Sequence, residues 1–505
     1  LDTKALIPTI EEINNTGIPV IAIDKTIEGG ELDSVIMTDN VLGASLGGQW
    51  VAEQIGGKGK VLVLEGMAGH QTAHDRKKGA HMALEEYPDI EVISLSGDWE
   101  TSKAQSVTED VLTANPDLAG VFASSDMMAL GAQGALAAAG LDIPICGFDA
   151  QDTALEMISD GRIGATVAQF PDKFGDLGVK FAVRLLEDKP TPKYVDAGTL
   201  LVTKDNVLEF QLRKKPLETE KAWNISFLTG VLSNPFWITV CDAMETKAQE
   251  LGVNLTVLGL DVEGDVTRQI SQVEDRIASG DDAIIIVPAD SKGIVPAIEQ
   301  ANLAGIPVIA VDKGVQGGTL TSLIMTDNVL GASLGGRWVA EQIGGKGKVL
   351  VLEGMPGHQT GIDRKEGAHM ALEEYPDIEV ISLPGDWETG KAQSVTEDVL
   401  TANPDLAGVF ASSDMMALGA QGALAAAGLD IPICGFDAQD TALELISDGR
   451  MGATVAQFPA KMGALGLEYA VRVLEGEQVP ASVDSGTLLV TADKAELFRE
   501  GIFGR

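Results

Sequence analysis

From residue 222 onward, short apolar runs of strand length alternate with stretches whose apolar residues recur at helical spacing. Residues 224–229 predict a strand, Asn234-Pro235 opens a helical pattern that runs to Leu251, and 254–260 is again strand-like. An amphipathic helix is expected over 266–279. Residues 283–287 (AIIIV) have no polar face, as a strand buried on both sides of a sheet requires. A helix over 293–304 and strands over 307–311 and 323–325 complete a first set. The second set comprises strands over 348–352, 379–383, 408–411, 433–436, 453–457 and 487–490. Helices over 333–343, 390–402, 415–427, 441–447 and 463–475 are interleaved with them, and a glycine-containing loop spans 353–357. Such a βαβα rhythm predicts an α/β fold. Two doubly wound parallel sheets form its lobes, with the loops at the carboxyl ends of the strands facing a common crevice.

The pattern occurs twice. Residues 1–205 repeat as 289–493 at a constant offset of 288 (327 less 39), with Asp39 returning as Asp327, Trp99 as Trp387 and Asp149 as Asp437. So long a period marks a duplicated domain pair rather than a solenoid. Only the second copy is preceded by residues 222–288. The expected organisation is an incomplete first unit (1–205, with a second lobe at about 39–169), a charged linker (206–221) and a complete unit (222–505). In the complete unit the first lobe takes about 222–326 and 458–487, and the second about 327–457 and 488–505. Leu1 aligns just past a buried strand of the second copy and is expected to mark a fragment boundary.

Charge narrows the function. Asp and Glu number 75 against 36 Lys and Arg, a net charge of −39, and such a field repels nucleic acid and anionic membranes. Three cysteines at wide spacing give neither a disulfide framework nor a zinc motif. No run is long enough to span a membrane, and the first residues carry no signal-peptide pattern. Nucleophile elbows, HExxH, phosphate-loop and CxxC motifs are absent, and the histidines lack a partner at metal spacing. No catalytic residue, metal or cofactor is expected.

What remains is a row of polar residues directly after apolar strands: Asp312-Lys313, Asp327-Asn328, Asp414, Asp437 and Gln457. In an open α/β sheet these strand ends converge, and a carboxylate there accepts hydroxyl hydrogen bonds. For any one Asp, a helix cap is an equal alternative. Aromatic residues are only 5% of the chain, so Phe236-Trp237 at a helix start and Trp387 in an acidic loop are candidate platforms for a sugar ring, with core packing as the alternative. Arg364, after a glycine-rich loop and near a helix start, is a candidate donor to a ligand oxygen or a partner for surface acids.

These residues resemble those of type I periplasmic sugar-binding proteins of bacterial ABC transporters, in the ribose-binding branch. The similarity rests on SNPFW (233–237), VPADS (287–291), IPVIAVDK (306–313), TDNVLGA (326–332), SSDMMALGA (412–420), GFDA (435–438) and AQFP (456–459). It implies ligand contacts at Asn234, Phe236, Trp237, Asp312, Lys313, Arg364, Trp387, Asp437 and Gln457, with Ser413 at a further contact position. Lys313 stands where the family typically has Arg, and Val287 and Ser413 where a ribose binder usually has Asn. The ligand implied is a small neutral sugar or polyol, ribose or a relative. The implied partner is an ABC transporter permease, and the implied place is the periplasm or the extracellular face; a sensor that presents sugar to a receptor is the alternative. Neither nucleic-acid binding nor membrane insertion is implied. The first unit keeps a partial second set, Asp24, Lys25, Arg76, Trp99, Asp149 and Gln169, without the aromatic pair.

Overall fold

The computed structural model describes residues 3–503 apart from 28, 234, 263 and 357. The chain forms two compact units, Leu1–Pro216 and Leu217–Arg505.

The second unit has two six-stranded sheets. Its first lobe orders Asn254–Leu260, Asn224–Val231, Ala283–Ile286, Val308–Val311, Ser322–Met325 and Ser482–Asp484, all parallel. Ile284, Ile285 and Ile286 are wholly buried, which is why this run has no polar face. The second lobe orders Asp377–Pro384, Lys346–Glu353, Leu406–Ala411, Ile433–Asp437, Ala453–Ala456 and Leu488–Thr491. The last of these runs antiparallel to its neighbour, a departure from the all-parallel expectation, since an apolar run carries no mark of direction. The chain crosses between lobes three times, after Met325, after Ala456 and after Asp484.

Helix ends follow local chemistry. Asp265 caps Val266–Ser279 by accepting from the Arg268 amide (3.0 Å), and Gly280 closes the helix at φ 74°. Ser413 caps Asp414–Ala427, and Gly428 ends it at φ 69°. Three elements were not expected. The strand Ser482–Asp484 has one buried apolar residue, the helix Gln359–Glu373 is largely polar, and Ala492–Arg499 lies at the chain end.

In the first unit the second lobe repeats the six-stranded sheet, ordered Asp89–Ser96, Lys58–Glu65, Leu118–Ala123, Ile145–Asp149, Ala165–Ala168 and Leu200–Thr203. Its first lobe holds a three-stranded sheet of Ile21–Ile23, Ser34–Met37 and Tyr194–Asp196. The stretch expected as a linker, 206–221, is corrected in part: Val207–Arg213 is a helix whose Val207 and Phe210 join the second-lobe core. Burial of those two side chains outweighs the surrounding charge that suggested a tether.

Candidate functional site

Asp437 ends the strand Ile433–Asp437, at the carboxyl edge of the second-lobe sheet. Its Oδ1 accepts from Arg364 Nη1 (3.0 Å) and from Gln457 Nε2 (2.7 Å). Among the described residues no bond falls on its Oδ2.

Arg364 comes from the helix Gln359–Glu373, where only 4% of it is exposed. Three of its five N–H groups are engaged: Nε to Asn328 Oδ1 (2.8 Å), Nη1 to the Ser412 carbonyl (2.8 Å) and to Asp437. Its guanidinium lies 3.7 Å from the Phe436 ring centroid and 5.8 Å from that of Trp387. This is not a surface ion pair. It is a buried fork that fixes the carboxylate.

Gln457 sits at the second crossover, also buried. Its Oε1 accepts from Thr326 Oγ1 (2.9 Å) at the first crossover while its amide donates to Asp437. Thr326 in turn lies 3.4 Å from Ser485 Oγ at the third. One short network therefore joins all three crossovers to the carboxylate.

Burial raises the Asp437 carboxyl above its ordinary range; Arg364 and Gln457 oppose this, and the negative charge of Asp312 adds to it. The charge of Asp312 is thus felt at Asp437, which brings the two strand-end acids together although they belong to different sheets. Both adopt the left-handed region, Asp312 at φ 68° and Asp437 at φ 111°, as does Trp387 at φ 65°. Such backbone costs on the order of 1–3 kcal/mol per residue and gathers where function holds it.

Phe236 and Trp237 open the helix Pro235–Leu251, their rings edge to face at 4.8 Å. Trp237 is buried, and its indole Nε1 has no hydrogen-bond partner among the described residues. Lys313 follows Asp312 and is half-buried. Asn234 lies outside the described residues. Trp387 packs against the second-lobe core and over Gly354, where any Cβ would run into the indole. Its acidic loop therefore does not keep it away from the core, the alternative weighed for it.

Three positions have structural roles. Ser413 caps a helix through the Met416 amide (3.3 Å). Asp414 is fully buried, its carboxylate accepting from Thr454 Oγ1 (2.6 Å) and the Gln439 amide (2.7 Å), and burial together with the charge of Asp437 raises its pKa well above the ordinary value. Asp327 caps Asn328–Gln342 through the Leu330 amide (2.9 Å). Asn328, Thr326, Phe436 and the Ser412 carbonyl carry the network, yet of these only Asn328 stood at a strand end in the sequence pattern.

The first unit repeats this geometry. Arg76 Nη1 reaches Asp149 Oδ1 (3.0 Å), Gln169 Nε2 reaches the same oxygen (2.6 Å), Arg76 lies 5.7 Å from the Trp99 ring, and Asp24 stands at φ 69°. The charge of Asp24 is felt at Asp149, while Lys25 follows Asp24 as Lys313 follows Asp312.

Among the described residues no cluster of His, Cys, Asp or Glu could hold a metal ion, and no helix is long and apolar enough to cross a membrane.

The periplasmic binding protein domain model matches residues 1–190 and 225–478. The ribose import binding protein RbsB of Escherichia coli is 37% identical over 258 residues, 51% of this chain and 86% of that protein. The D-allose-binding periplasmic protein of the same organism is 32% identical over 251 residues, 48% and 81% of the two chains. Among solved structures, a periplasmic solute-binding protein from Actinobacillus succinogenes with bound D-allose is 34% identical, with a TM-score of 0.51 over 55% of this chain and 99% of the other. One from Bacillus halodurans with bound myo-inositol is 27% identical, with a TM-score of 0.51 over 56% and 99%. These relatives are binding proteins, not enzymes. The chain belongs to the periplasmic binding protein family, as a type I sugar-binding protein present in tandem.

Proposed function

We propose that the second unit captures a small neutral sugar or polyol between its two lobes and delivers it to an ABC transporter permease outside the cytoplasm. The observation that carries this reading is the Asp437 carboxylate, held through Oδ1 by Arg364 and Gln457 with Oδ2 left to accept a hydroxyl. Asp312 supplies a second carboxylate from the opposite lobe, and the two acids suit a ligand that donates several hydrogen bonds and has no negative charge of its own. The unpaired Trp237 indole N–H is suited to donate to a ligand oxygen, and the Phe236-Trp237 pair and Trp387 offer apolar faces for the C–H side of a ring. Asn234, Lys313 and Arg364 complete the proposed contacts; Ser413, occupied as a cap, does so only from the margin. The names of the relatives favour ribose, allose and kindred sugars, and Lys313 sets this site apart because an ammonium gives a point charge rather than a fork.

A thermal-shift panel of pentoses, hexoses, polyols and inositols tests this. A ligand that binds only the folded state must raise the melting temperature. Stabilisation by at least one neutral member supports the reading, and a flat response across the panel removes it.

A further inference from the structure

Asp437 and Ala438 are consecutive non-glycine residues in the left-handed region, at φ 111° and 51°. They turn the strand Ile433–Asp437 toward the helix Asp440–Ser447, and Gln439, the residue before that helix, gives it no side-chain cap. Backbone of this kind persists only where its surroundings hold it. Arg364 and Gln457 hold the Asp437 side chain. The peptides that follow it need a support of their own, because a rotation there would swing the carboxylate away from both partners.

That support comes from two buried side chains. The Ala438 amide donates to Thr454 Oγ1 (3.3 Å), and the Gln439 amide donates to Asp414 Oδ2 (2.7 Å). Thr454 Oγ1 donates in turn to Asp414 Oδ1 (2.6 Å), so one hydroxyl accepts and donates at once. Both residues are 0% exposed. Thr454 comes from the strand Ala453–Ala456 and Asp414 from the first turn of Asp414–Ala427. Gly435 makes room for the carboxylate, since a Cβ there would stand 2.3 Å from Asp414 Oδ1. A helix cap binds amides at the second or third helical residue. These two amides lie before the helix, next to Asp437, so the bonds serve the turn. The first unit builds the same clamp below Asp149 (φ 117°): Ala150 to Thr166 (3.3 Å), Gln151 to Asp126 (2.7 Å) and Thr166 to Asp126 (2.6 Å).

We propose that Thr454 and Asp414 are positioning residues of the site: they lock the turn 437–439 and thereby aim the Asp437 carboxylate at Arg364 and Gln457. Being fully buried, they act through Asp437 and not on a ligand. That the aimed carboxylate receives a sugar hydroxyl rests on the function proposed above; that the clamp aims it rests on the turn alone.

The test compares Thr454→Val with Thr454→Ser in the full chain. The first keeps the branched shape and loses the hydroxyl; the second keeps the hydroxyl. Crystal structures without sugar should show the bond from Arg364 Nη1 to Asp437 Oδ1 kept at 3.0 Å in Thr454→Ser. In Thr454→Val it should be broken, with the carboxylate turned away. Calorimetry with the most stabilising sugar of the panel should show affinity lowered roughly tenfold or more by Thr454→Val and held within about twofold by Thr454→Ser. A carboxylate unmoved in Thr454→Val overturns the proposal, and so does one displaced equally in Thr454→Ser. If Thr454→Val does not fold, Thr166→Val in the first unit gives the same reading at the Arg76–Asp149 pair. A displaced carboxylate with unchanged sugar affinity supports the clamp and removes the sugar contact at Asp437, so the two readings fail separately.

Discussion

Gln457 donates its side-chain amide to Asp437 over 2.7 Å while its carbonyl accepts from Thr326. A residue at one crossover thus positions the carboxylate at a strand end and is tied to a second crossover. Replacing Gln457 by Leu removes one hydrogen bond to a charged group, worth about 1.5–3 kcal/mol. Sugar affinity should fall roughly tenfold to hundredfold, and the hinge should loosen. Calorimetric titration of the Q457L variant against the unaltered chain checks this.

Arg364 presents a different balance. It is buried and serves three partners, so Arg364→Met would leave Asp437 buried without its counter-charge. Breaking a buried pair from one side typically costs about 3–5 kcal/mol. The variant should lose stability in urea unfolding as well as binding. Arg364→Lys should restore part of the stability and little of the affinity, because an ammonium cannot reproduce the fork to Asn328, Ser412 and Asp437.

Much of this was legible in sequence, in proportion to how local its causes are. The buried strand 283–287, the duplication, and the places of Asp312 and Asp437 after apolar strands follow from runs and positions. The Asp414 carboxylate could not be separated from a ligand group, because its partner Thr454 lies 40 residues away and only the packed lobe brings them together. The helix Gln359–Glu373 escaped because small and polar residues cover it; what makes it helical in place is packing of Gly361, Gly367, Ala368 and Leu372 against the lobe. Arg364 was recognised as a candidate, but its burial was not visible, since no apolar pattern surrounds it.

Asp126, the first-unit counterpart of Asp414, predicts a pH effect. Burial raises its pKa to about 7, against the opposing bonds from Thr166 and the Gln151 amide. The folded state then holds a proton that the unfolded chain releases near pH 4. Its contribution to stability is complete below about pH 4 and is lost as pH rises through about 7. Asp126→Asn should flatten that fall. Urea unfolding of the D126N variant and the unaltered chain at pH 5 and pH 8 should show a stability difference that shifts in favour of the variant at the higher pH.

Closure should accompany binding. Three crossovers joined by Thr326, Gln457 and Ser485 form a narrow hinge between the lobes of the second unit, and hinge motion about such strands is a common response to ligand in two-lobed binders. Small-angle scattering of residues 217–505 should give a smaller radius of gyration with sugar than without. The same profile in both states would mean a rigid scaffold.

The central claim is that one neutral sugar or polyol binds per chain, between Asp312 and Asp437 of the second unit. Titration calorimetry of the full chain with the most stabilising member of the panel addresses it most directly. The account predicts micromolar or tighter affinity, about −8 kcal/mol or better, a stoichiometry near one, and no measurable heat of binding after Asp312→Ala or Asp437→Ala in a chain that remains folded. Near-normal affinity in both variants, or a stoichiometry near two for the chain by itself, would contradict it.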